Sequence, residues 1–520
     1  MILDDWGWNN VGWHARQWAN AGEIQTPHMD ALLASGLELD RQYVFRFCSP
    51  TRSAFLSGRN PVHINVLNSD LSQANLSDPV SGFAGLPRPV TSVAAKLQSA
   101  GYATHFYGKW HSGLATFDHL PLGRGYDKSL AYLSGSNGYW NTCSTGWCPS
   151  DGAAQYADLW RNGAPAYGLN NSAACSQSNQ AAGCVYEDAL FADAAVAAVR
   201  AHNASRGPLF LHYCPHGAHV GSQLQLEVPA ALLANFSSFI NNSYRASYAA
   251  VVSYVDAAVG RIVAALRERA LYDNTLILVL ADNGGAIIGQ TGSAGGNNWP
   301  LRGGKSGVFE GGVRAAALVS GGALPPARRG AVERAWISVE DWYVTLCALA
   351  GVEAADARGD AAGLPPVEGR NLWPLLSGAN STPPREEVVL GADGDGVDSD
   401  GVTLVQALIR SDGWKLITGR VSSAIWQGPL YPNASTDWQD VPVDCGGLRG
   451  APGGCLFNVL VDPHETRDCA AQQPAVLAAM RARLAQLQAG AFSPRRGGDH
   501  EAACNASAQR WGGFIGPFLP

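Results

Sequence analysis

The sequence contains little charge and no long uninterrupted hydrophobic run. Asp, Glu, Lys and Arg together make up 15% of its 520 residues, against roughly 25% in an average soluble domain. A mean hydropathy of −0.05 excludes a disordered chain. No run reaches the roughly 18 apolar residues of a membrane span, so we predict none. The net charge of −7 argues against nucleic acid as a partner.

Lysine is especially scarce, with five residues against 31 arginines. A coding bias that replaces Lys by Arg wherever either serves would leave Lys mainly where a compact ammonium group is needed. Each remaining lysine is therefore a candidate functional residue. The five are Lys96, Lys109, Lys128, Lys305 and Lys415.

A signal peptide is also missing, although other features favour an oxidising, glycosylating compartment. The chain begins Met1-Ile-Leu-Asp-Asp, as though a hydrophobic strand were already ending, so we expect a truncated or mature N-terminus. Eight N-x-[Ser/Thr] motifs predict a glycoprotein of the secretory pathway, either secreted, at the cell surface or in a lysosome-like compartment. The motifs start at Asn75, Asn170, Asn203, Asn235, Asn241, Asn380, Asn433 and Asn505.

The cysteine pattern predicts short disulfide loops. Closely spaced pairs in polar, Gly-rich stretches are Cys143/Cys148, Cys175/Cys184 and Cys445/Cys455. Cys214 and Cys347 lie in apolar runs and are candidates for buried thiols.

Strand-like and helix-like segments alternate through most of the chain, which predicts an α/β fold with a large, mostly parallel sheet covered by helices. The strand candidates are residues 1–3, 103–107, 209–213, 276–281 and 315–319. The helix candidates are residues 27–35, 90–100, 187–201, 244–269 and 339–350. In such sheets, functional side chains gather at the carboxyl ends of the strands.

Composition changes after about Gly378, where residues 380–385 are typical of a linker or long loop. Short alternating runs at 402–410 and 414–418 follow, and then a helical pattern near 474–488. We therefore predict a catalytic domain over residues 1–384. Residues 385–520 would form a smaller C-terminal α+β domain with a small antiparallel sheet.

The most specific motif is Cys48-Ser-Pro-Thr-Arg52, followed by Gly58-Arg59. It resembles the signature of the sulfatase family, in which a generating enzyme of the endoplasmic reticulum oxidises this cysteine to formylglycine. The resemblance implies an alkaline-phosphatase-like fold and hydrolysis of sulfate esters. The alternative is a buried cysteine that only opens a helix after a proline turn.

The resemblance makes residue 48 the nucleophile. A thiol-bound sulfate has no easy route to release, whereas an aldehyde hydrate has one hydroxyl to attack sulfur and a second to expel sulfate. The N-terminal amides of a helix beginning at Cys48 would favour an anionic oxygen there. Arg52, one turn further on, would brace that oxygen by charge-assisted hydrogen bonds.

Acidic clusters follow two strand candidates and predict a metal site. Asp4 and Asp5 follow the first strand, and Asp282 and Asn283 follow the strand at 276–281. Together with modified Cys48, these oxygen ligands suit Ca²⁺, or alternatively Mg²⁺, rather than Zn²⁺. Asp282 is also a candidate acceptor for the proton of the attacking hydroxyl. An isolated Asp-Asn-Gly sequence, by contrast, is usually only a turn.

Two further segments resemble sulfatase signatures and supply cationic candidates. The segment from Gly101 to His111 resembles Gly-Tyr-x-Thr-x-x-x-Gly-Lys-Trp-His. This implies that Lys109 holds a sulfate oxygen and that His111 takes a proton. Lys305 precedes Glu-Gly-Gly-x-Arg and is expected to hold the sulfate from the opposite side. The Glu and Arg of that segment are expected to form a structural ion pair.

Three histidines follow the strand candidate at 209–213. Family spacing selects His219 as the residue that protonates the leaving alcohol, with Lys305 as a second candidate. His212 lies inside the strand and is expected to be a core residue, whereas His216 is an alternative contact on the substrate side.

Within the family, residues 123–136 resemble arylsulfatase B-type enzymes, which remove the 4-sulfate of N-acetylgalactosamine. Aromatic inserts at 137–147 and 426–438 would shape the mouth of the pocket and could change the substrate. We therefore predict a sulfuric ester hydrolase acting on a sulfated small molecule or glycan. The alternatives are a phosphodiesterase or phosphonate hydrolase of the same superfamily, and a catalytically inactive glycan-binding relative. The sequence leaves the oligomeric state open.

Overall fold

The computed structural model describes the chain except residues 19–21, 65–71, 146–154, 170–173, 182, 222–223, 288–293, 392–404, 431, 433–441, 448–451, 493–496 and 499. The strands are β1 Ile2–Leu3, β2 Leu37–Leu39, β3 Gln42–Tyr43, β4 Ala103–Lys109, β5 Lys128–Tyr132, β6 Cys143–Thr145, β7 Gln155–Ala157, β8 Trp160–Arg161, β9 Ala164–Pro165, β10 Leu209–Cys214, β11 Ile277–Ala281, β12 Ala317–Ser320, β13 Ala331–Glu333, β14 Ile337–Ser338, β15 Glu387–Gly391, β16 Gln406–Arg410, β17 Trp414–Thr418, β18 Arg420–Val421, β19 Val443–Asp444 and β20 Cys455–Asn458. The helices are α1 Gly12–Ala15, α2 Pro27–Ala34, α3 Cys48–Ser57, α4 Val93–Ser99, α5 Glu187–Ala201, α6 Ala230–Ser237, α7 Ser243–Glu268, α8 Glu310–Val313, α9 Asp341–Leu349, α10 Ala357–Ala361, α11 Trp373–Leu376, α12 Pro474–Ala489 and α13 Glu501–Asn505. Each strand and helix candidate from the sequence coincides with one of these elements.

Two five-stranded sheets form the large α/β unit, which confirms the predicted fold class. Their strand orders are β1-β11-β12-β2-β13 and β10-β4-β5-β8-β9, and β1 lies beside β10 where the two sheets meet. The strands nearest this junction pair in parallel: β11 with β1, and β4 with both β10 and β5. Antiparallel pairs such as β11–β12 and β5–β8 lie further out.

Strand register brings four polar strand ends to one edge of these sheets. Leu3 of β1 pairs with Ala281 of β11, so the acidic residues that follow the two strands lie side by side. Cys214 of β10 pairs with Gly108 of β4. Gly108 has a φ of 116°, and a Cβ there would lie 1.7 Å from the carbonyl oxygen of Cys214. Only glycine therefore permits this close pairing.

The longest helix, α7, is a core helix. By length and composition it could cross a membrane, but 67% of its most apolar window is buried inside the protein. It packs against α2, α5 and α6. Burial against other helices accounts for its apolar composition.

The chain beyond residue 384 contains the predicted small antiparallel sheet. Strands β15, β16, β17 and β20 pair in that order, and α12 packs against β16 and β17. Some later residues return to the large unit: Phe514 bridges to Ala157, and Ile515 and Phe518 are buried in the large core. A domain division at 384/385 stays a prediction.

Two of the three expected disulfides are present. Cys175–Cys184 and Cys445–Cys455 are bonded, and Cys214 and Cys347 are buried thiols, as predicted. The expected pairing of Cys143 with Cys148 is wrong, because Cys143 is a free thiol.

The Cys143 thiol donates instead to the carbonyl oxygen of Asn141 at 3.2 Å. Close spacing along the chain does not determine which way a side chain turns. Cys148 and the sequon residues Asn170 and Asn433 lie outside the described residues.

Candidate active site

Helix α3 begins at Cys48, as the sequence predicts, and all ten of its residues are buried. The preceding loop is held by Thr51, whose hydroxyl oxygen accepts a hydrogen bond from the backbone N–H of Phe45 at 2.9 Å. Gly58 ends the helix in the left-handed conformation. Cys48 is 1% exposed, so its side chain lies inside the protein at the helix N-terminus.

The four predicted metal ligands of the two strand ends converge near Cys48. Its Sγ donates to Asp4 Oδ1 at 3.5 Å. Asn283 Nδ2 donates to Asp5 Oδ1 at 2.8 Å, and the backbone N–H of Asp5 donates to Asp282 Oδ1 at 3.3 Å. All are buried. The parallel register of β1 and β11 thus produces one oxygen-rich cluster.

The two lysines expected to hold sulfate pair with different carboxylates of this cluster. Lys109 Nζ lies 2.6 Å from Asp4 Oδ2. Lys305 Nζ lies 2.8 Å from Asp5 Oδ1. Lys109 is fully buried and Lys305 is 5% exposed. Two ammonium groups therefore reach the cluster through separate acidic residues.

Arg52 contacts an acidic residue and makes no direct brace on residue 48. Its Nε and Nη2 donate to Asp282 Oδ2 at 3.1 and 2.8 Å. Its Nη1 donates to the carbonyl oxygen of Lys109 at 3.0 Å. The guanidinium group therefore links the ends of β4 and β11 and orients Asp282.

His219 reaches the same cluster. Its Nε2 lies 3.8 Å from Asp5 Oδ2, and its Nδ1 lies 2.8 Å from the carbonyl oxygen of Val220. Because a carbonyl only accepts, Nδ1 carries the hydrogen, which leaves a lone pair on Nε2 in the neutral ring. The hydroxyl of Tyr139 donates to the carbonyl oxygen of His219 at 2.7 Å and holds this loop.

The other two histidines of this segment, one inside β10 and one after it, lie away from the carboxylate cluster. His212 is a core residue, as expected, with Nδ1 2.8 Å from the hydroxyl of Tyr126. His216 has Nδ1 3.0 Å from Glu187 Oε2, and its ring stacks on Tyr139 with centroids 3.8 Å apart. His216 therefore belongs to a buried layer that supports the His219 loop.

His111 lies close enough to the site for its cations to act on it. The residue has a φ of 47°, and its ring packs on Gly135, where a Cβ would lie 3.0 Å from His111 Cε1. Its Nδ1 is buried and has no hydrogen-bond partner among the described residues. Burial, followed by repulsion from Lys109, Arg52 and Lys305, lowers its pKa well below the ordinary value.

Burial controls the ionisation of the remaining site groups. It raises the pKa of the Cys48 thiol well above its ordinary value, so the thiol is protonated and a poor nucleophile. Burial, and then repulsion from Asp4, raises the pKa of Asp282 to about 6. Burial, and then the two lysines, lowers the pKa of His219 well below its ordinary value. The imidazole of His219 is therefore neutral at pH 7.

The donor set fits a hard divalent cation. Ligand atoms of Asp4, Asp5, Cys48 and His219 lie within 4.8 Å of one another. Asn283 Oδ1 is buried and accepts no hydrogen bond within the described part of the chain, so it is free to face a cation. Carboxylate and amide oxygens are the ligands that Ca²⁺ and Mg²⁺ prefer. The group of four also includes a thiol and an imidazole nitrogen, and Asp282 is not part of it, so the expected set of ligands stays a prediction.

Two residues that the motifs did not reveal hold this site in place. Tyr248, in the second turn of α7, donates from its hydroxyl to the carbonyl oxygen of Asp5 at 2.6 Å, and Asp5 has an unusual φ of 58°. Trp6 Nε1 donates to the carbonyl oxygen of Gly217 at 3.0 Å. Trp6 directly follows the acidic pair in the sequence, and this position associates it with the site. No local sequence pattern does so for Tyr248.

Comparison with a protein family and comparison with individual proteins agree with each other. Residues 1–352 match the family described as Sulfatase. Arylsulfatase J of Mus musculus is 30% identical over 506 residues, which cover 94% of this chain and 75% of that protein. N-acetylgalactosamine-6-sulfatase of Sus scrofa is 28% identical over 384 residues, which cover 72% of this chain and 65% of that protein.

A solved structure shows the same fold. The structure of Ps i-CgsB in complex with k-i-k-neocarrahexaose superposes with a TM-score of 0.70 at 24% sequence identity. The match covers 98% of this chain and 96% of that one.

Proposed function

This chain belongs to the sulfatase family and is a hydrolase of sulfate esters, and we propose that it removes sulfate from sulfated glycans at the buried cluster around Cys48. One observation carries the proposal: two buried lysines pair with two adjacent carboxylates beside Cys48. Two ammonium groups in this position can hold an anionic group against the residue that heads α3.

Enzymes of this family use a formylglycine and a divalent metal. We assign the formylglycine to residue 48, where its hydrate would supply one hydroxyl to attack sulfur and a second to expel sulfate. Conversion is needed because the Cys48 thiol is buried and protonated. The proposal therefore includes a formylglycine-generating enzyme as a partner during maturation.

Lys109 and Lys305 would hold the sulfate oxygens. Each ammonium group now neutralises one carboxylate and has further N–H donors for an incoming anion. Because both side chains are buried, their attraction to a sulfate is weakly screened by salt. They would orient the sulfur atom toward residue 48.

We assign the metal to Asp4, Asp5, Asp282, Asn283 and residue 48, with Ca²⁺ preferred and Mg²⁺ the alternative. A bound divalent ion acts as a Lewis acid and draws charge from the sulfate. The protein's part is to keep the carboxylates together, and Lys109, Lys305 and Arg52 do so by offsetting their mutual repulsion.

Three side chains are placed to carry protons in this proposal. Asp282, with its pKa raised to about 6, would accept the proton of the attacking hydroxyl. His219 would protonate the leaving alcohol from Nε2 after taking up a proton there, because the neutral ring carries its hydrogen on Nδ1. His111 would receive the proton of the second hydroxyl at its unpartnered Nδ1.

The substrate class follows from the relatives. One is named N-acetylgalactosamine-6-sulfatase, and a structure of the same fold contains the oligosaccharide k-i-k-neocarrahexaose. We therefore propose a sulfated glycan, and the narrower 4-sulfatase specificity stays a prediction. The disulfide bonds Cys175–Cys184 and Cys445–Cys455 support a secretory-pathway location.

The test measures sulfate release from 4-nitrophenyl sulfate and from sulfated N-acetylgalactosamine oligosaccharides. The tryptic peptide spanning residues 47–52 is weighed in parallel to detect conversion of residue 48. We expect turnover of both sulfates by converted protein, and none by Asp4→Ala. Asp118→Ala, at an exposed side chain, is the control and should keep full activity.

Two outcomes would favour the alternatives. Faster hydrolysis of a phosphonate monoester or phosphodiester than of any sulfate would indicate the phosphonate hydrolase-type activity. Converted protein that binds sulfated oligosaccharides without hydrolysing any sulfate would indicate an inactive glycan-binding relative.

A further inference from the structure

A second cavity lies at the opposite ends of the strands that carry the active site. It has a volume of about 760 Å³. Its lining includes Gly101 and Ala103 at the start of β4, Lys128 at the start of β5, and Gly207 just before β10. The active-site groups follow the other ends of these strands. Since β4 has seven residues, the cavity and the active-site cluster lie roughly 20 Å apart.

The cavity exists because small side chains of α5 face one side of β4. Ala103, His105 and Tyr107 alternate onto the same face of the strand. The helix that covers this face contributes Ala194, Ala197, Ala198 and Ala201. Methyl groups leave the space between helix and sheet unfilled.

The floor is apolar and contains aromatic rings. Tyr102, Tyr107, Leu130 and Leu169 line it. Tyr107 is tied to His105, whose Nδ1 lies 3.0 Å from the Tyr107 hydroxyl. A sugar ring, which presents C–H groups on one face, can pack against surfaces of this kind.

The rim is cationic, and its cations are unpaired. Lys128, Arg161 and Arg206 line the cavity and are exposed. None of the three forms an ion pair or a side-chain hydrogen bond within the described part of the chain. By contrast, exposed Arg200 and Arg261, on neighbouring helices, pair with Glu268 and Asp193.

The only carboxylate in the lining is already engaged. Asp127 Oδ1 accepts from Gln98 Nε2 at 2.7 Å, and its Oδ2 accepts from the backbone N–H of Thr104 at 2.9 Å. It therefore does little to neutralise the rim. In a protein of net charge −7, three unpaired cations around an apolar hollow favour an anionic ligand.

We propose that this cavity is a second, non-catalytic binding site for an anionic saccharide, with the sugar ring on the tyrosine floor and its sulfate groups on Lys128, Arg161 and Arg206. Arginine binds tetrahedral oxyanions through paired N–H donors, and lysine adds a point charge. Identifying the ligand as a sulfated glycan rests on the proposed function. A polymer bound here would remain tethered to the enzyme between catalytic events, which raises the effective concentration of its other sulfate groups.

Binding is tested in the Cys48→Ala variant, so that no turnover interferes and the result does not depend on the catalytic proposal. The probes are dermatan sulfate and the same polymer after chemical desulfation. We expect Lys128→Ala/Arg161→Ala/Arg206→Ala to weaken dermatan sulfate binding about tenfold and to reduce its salt dependence. The matched control, Arg370→Ala, removes an exposed arginine outside the cavity and should change nothing.

Activity is measured separately in protein that keeps Cys48. The triple variant should lose about threefold to tenfold in kcat/KM on the polymer, and keep wild-type kcat/KM on 4-nitrophenyl sulfate. Arg206→Glu alone, in an exposed turn, should reproduce the direction of both effects if the triple variant proves unstable.

Unchanged dermatan sulfate binding in both rim variants would overturn the inference, as would equal affinity of the wild-type cavity for the desulfated polymer. Absence of any sulfatase activity in wild-type protein would instead overturn the proposed function. The binding comparison in Cys48→Ala would still decide the second site.

Discussion

Cys48 is enclosed so completely that its chemistry depends on a few neighbouring atoms. We predict that Cys48→Ala abolishes turnover of 4-nitrophenyl sulfate. Cys48→Ser keeps one hydroxyl that can attack sulfur, but it lacks the second hydroxyl needed to expel sulfate. It should therefore accumulate a sulfated serine after at most one turnover, seen as added mass on the peptide of residues 47–52. Sustained turnover by protein with an unmodified Cys48 thiol would falsify the formylglycine assignment.

Lys109 and Lys305 test whether a compact charge is required. Each lies within 3 Å of a buried carboxylate, and a planar guanidinium group is larger than the ammonium group it would replace. Lys109→Arg and Lys305→Arg should each lower kcat/KM on the order of 10²-fold. Lys96→Arg, at a surface lysine that contacts the carbonyl oxygen of Ala355, is the control. Wild-type rates in both site variants would contradict the sulfate-holding role.

For single residues, the sequence predicts which side chains lie close together in the site, but it does not predict all of the hydrogen bonds between them. Asp4, Asp5, Asp282 and Asn283 converge as expected, because polar residues that follow neighbouring parallel strands share an edge. Arg52 was expected to face residue 48 but bonds to Asp282. The hydrogen-bond partner of Arg52 depends on the pairing of two strands that lie more than 200 residues apart in the chain. No local pattern in the sequence specifies that pairing.

Among the elements, the pairing of β4 with β10 is the most sensitive to a small change. We predict that Gly108→Ala lowers the free energy of unfolding by at least about 3 kcal/mol, because the new Cβ would strike the carbonyl oxygen of Cys214. Gly351→Ala is the matched control: its φ is 70°, but a Cβ there meets no atom within 4 Å. It should cost only about 1 kcal/mol. Similar thermal midpoints for the two variants would show that the strands can separate without penalty.

Element positions were largely predictable because apolar periodicity is local. The strand candidate at 209–213 became Leu209–Cys214, and the helix candidate at 187–201 became Glu187–Ala201. The predicted pairing of Cys143 with Cys148 was wrong because it depends on side-chain direction, which is not a local property of the sequence. The thiol turns to the Asn141 carbonyl, and side-chain direction in an irregular segment is set by contacts that the sequence does not display.

Across the whole molecule, one buried charge cluster joins the small sheet to the catalytic unit. Lys415 of β17 lies 2.9 Å from both Glu310 of α8 and Glu465, and all three side chains are buried. Lys415→Met would remove the cation that the two buried carboxylates share and should cost about 3–5 kcal/mol. Adding Glu310→Gln and Glu465→Gln should recover most of that loss. Thermal midpoints of the single and triple variants provide the measurement.

Two buried carboxylates, Glu465 of this cluster and Asp188 beside the backbone of His216, predict a pH dependence of stability. Burial raises the pKa of Glu465 from 4.5 to about 7, and burial raises the pKa of Asp188 from 3.8 to about 6. The folded protein holds these protons more tightly than the unfolded chain. Their contribution is therefore complete below about pH 4 and is lost as the pH rises through 6 and 7.

Buried neutral histidines such as His111 and His219 act in the opposite direction, because burial lowers their pKa, so the test compares wild type with Glu465→Gln at pH 5.5 and at pH 8. Each proton contributes at most about 1.4 kcal/mol per pH unit. Relative to wild type, Glu465→Gln should raise the thermal midpoint at pH 8 more than at pH 5.5, and an unchanged difference between the two pH values would contradict the assignment to Glu465.

The pairing of β1 with β11 also has a consequence for the order of events during biosynthesis. Leu3 cannot pair with Ala281 until the ribosome has added more than 200 further residues. At typical synthesis rates this takes on the order of 10–50 s after Cys48 is made. During that interval the nascent chain has no closed core around α3. The Cys48 side chain is only 1% exposed in the folded protein. Because the strands around it pair late in synthesis, a maturation enzyme has an interval in which it can still reach this side chain.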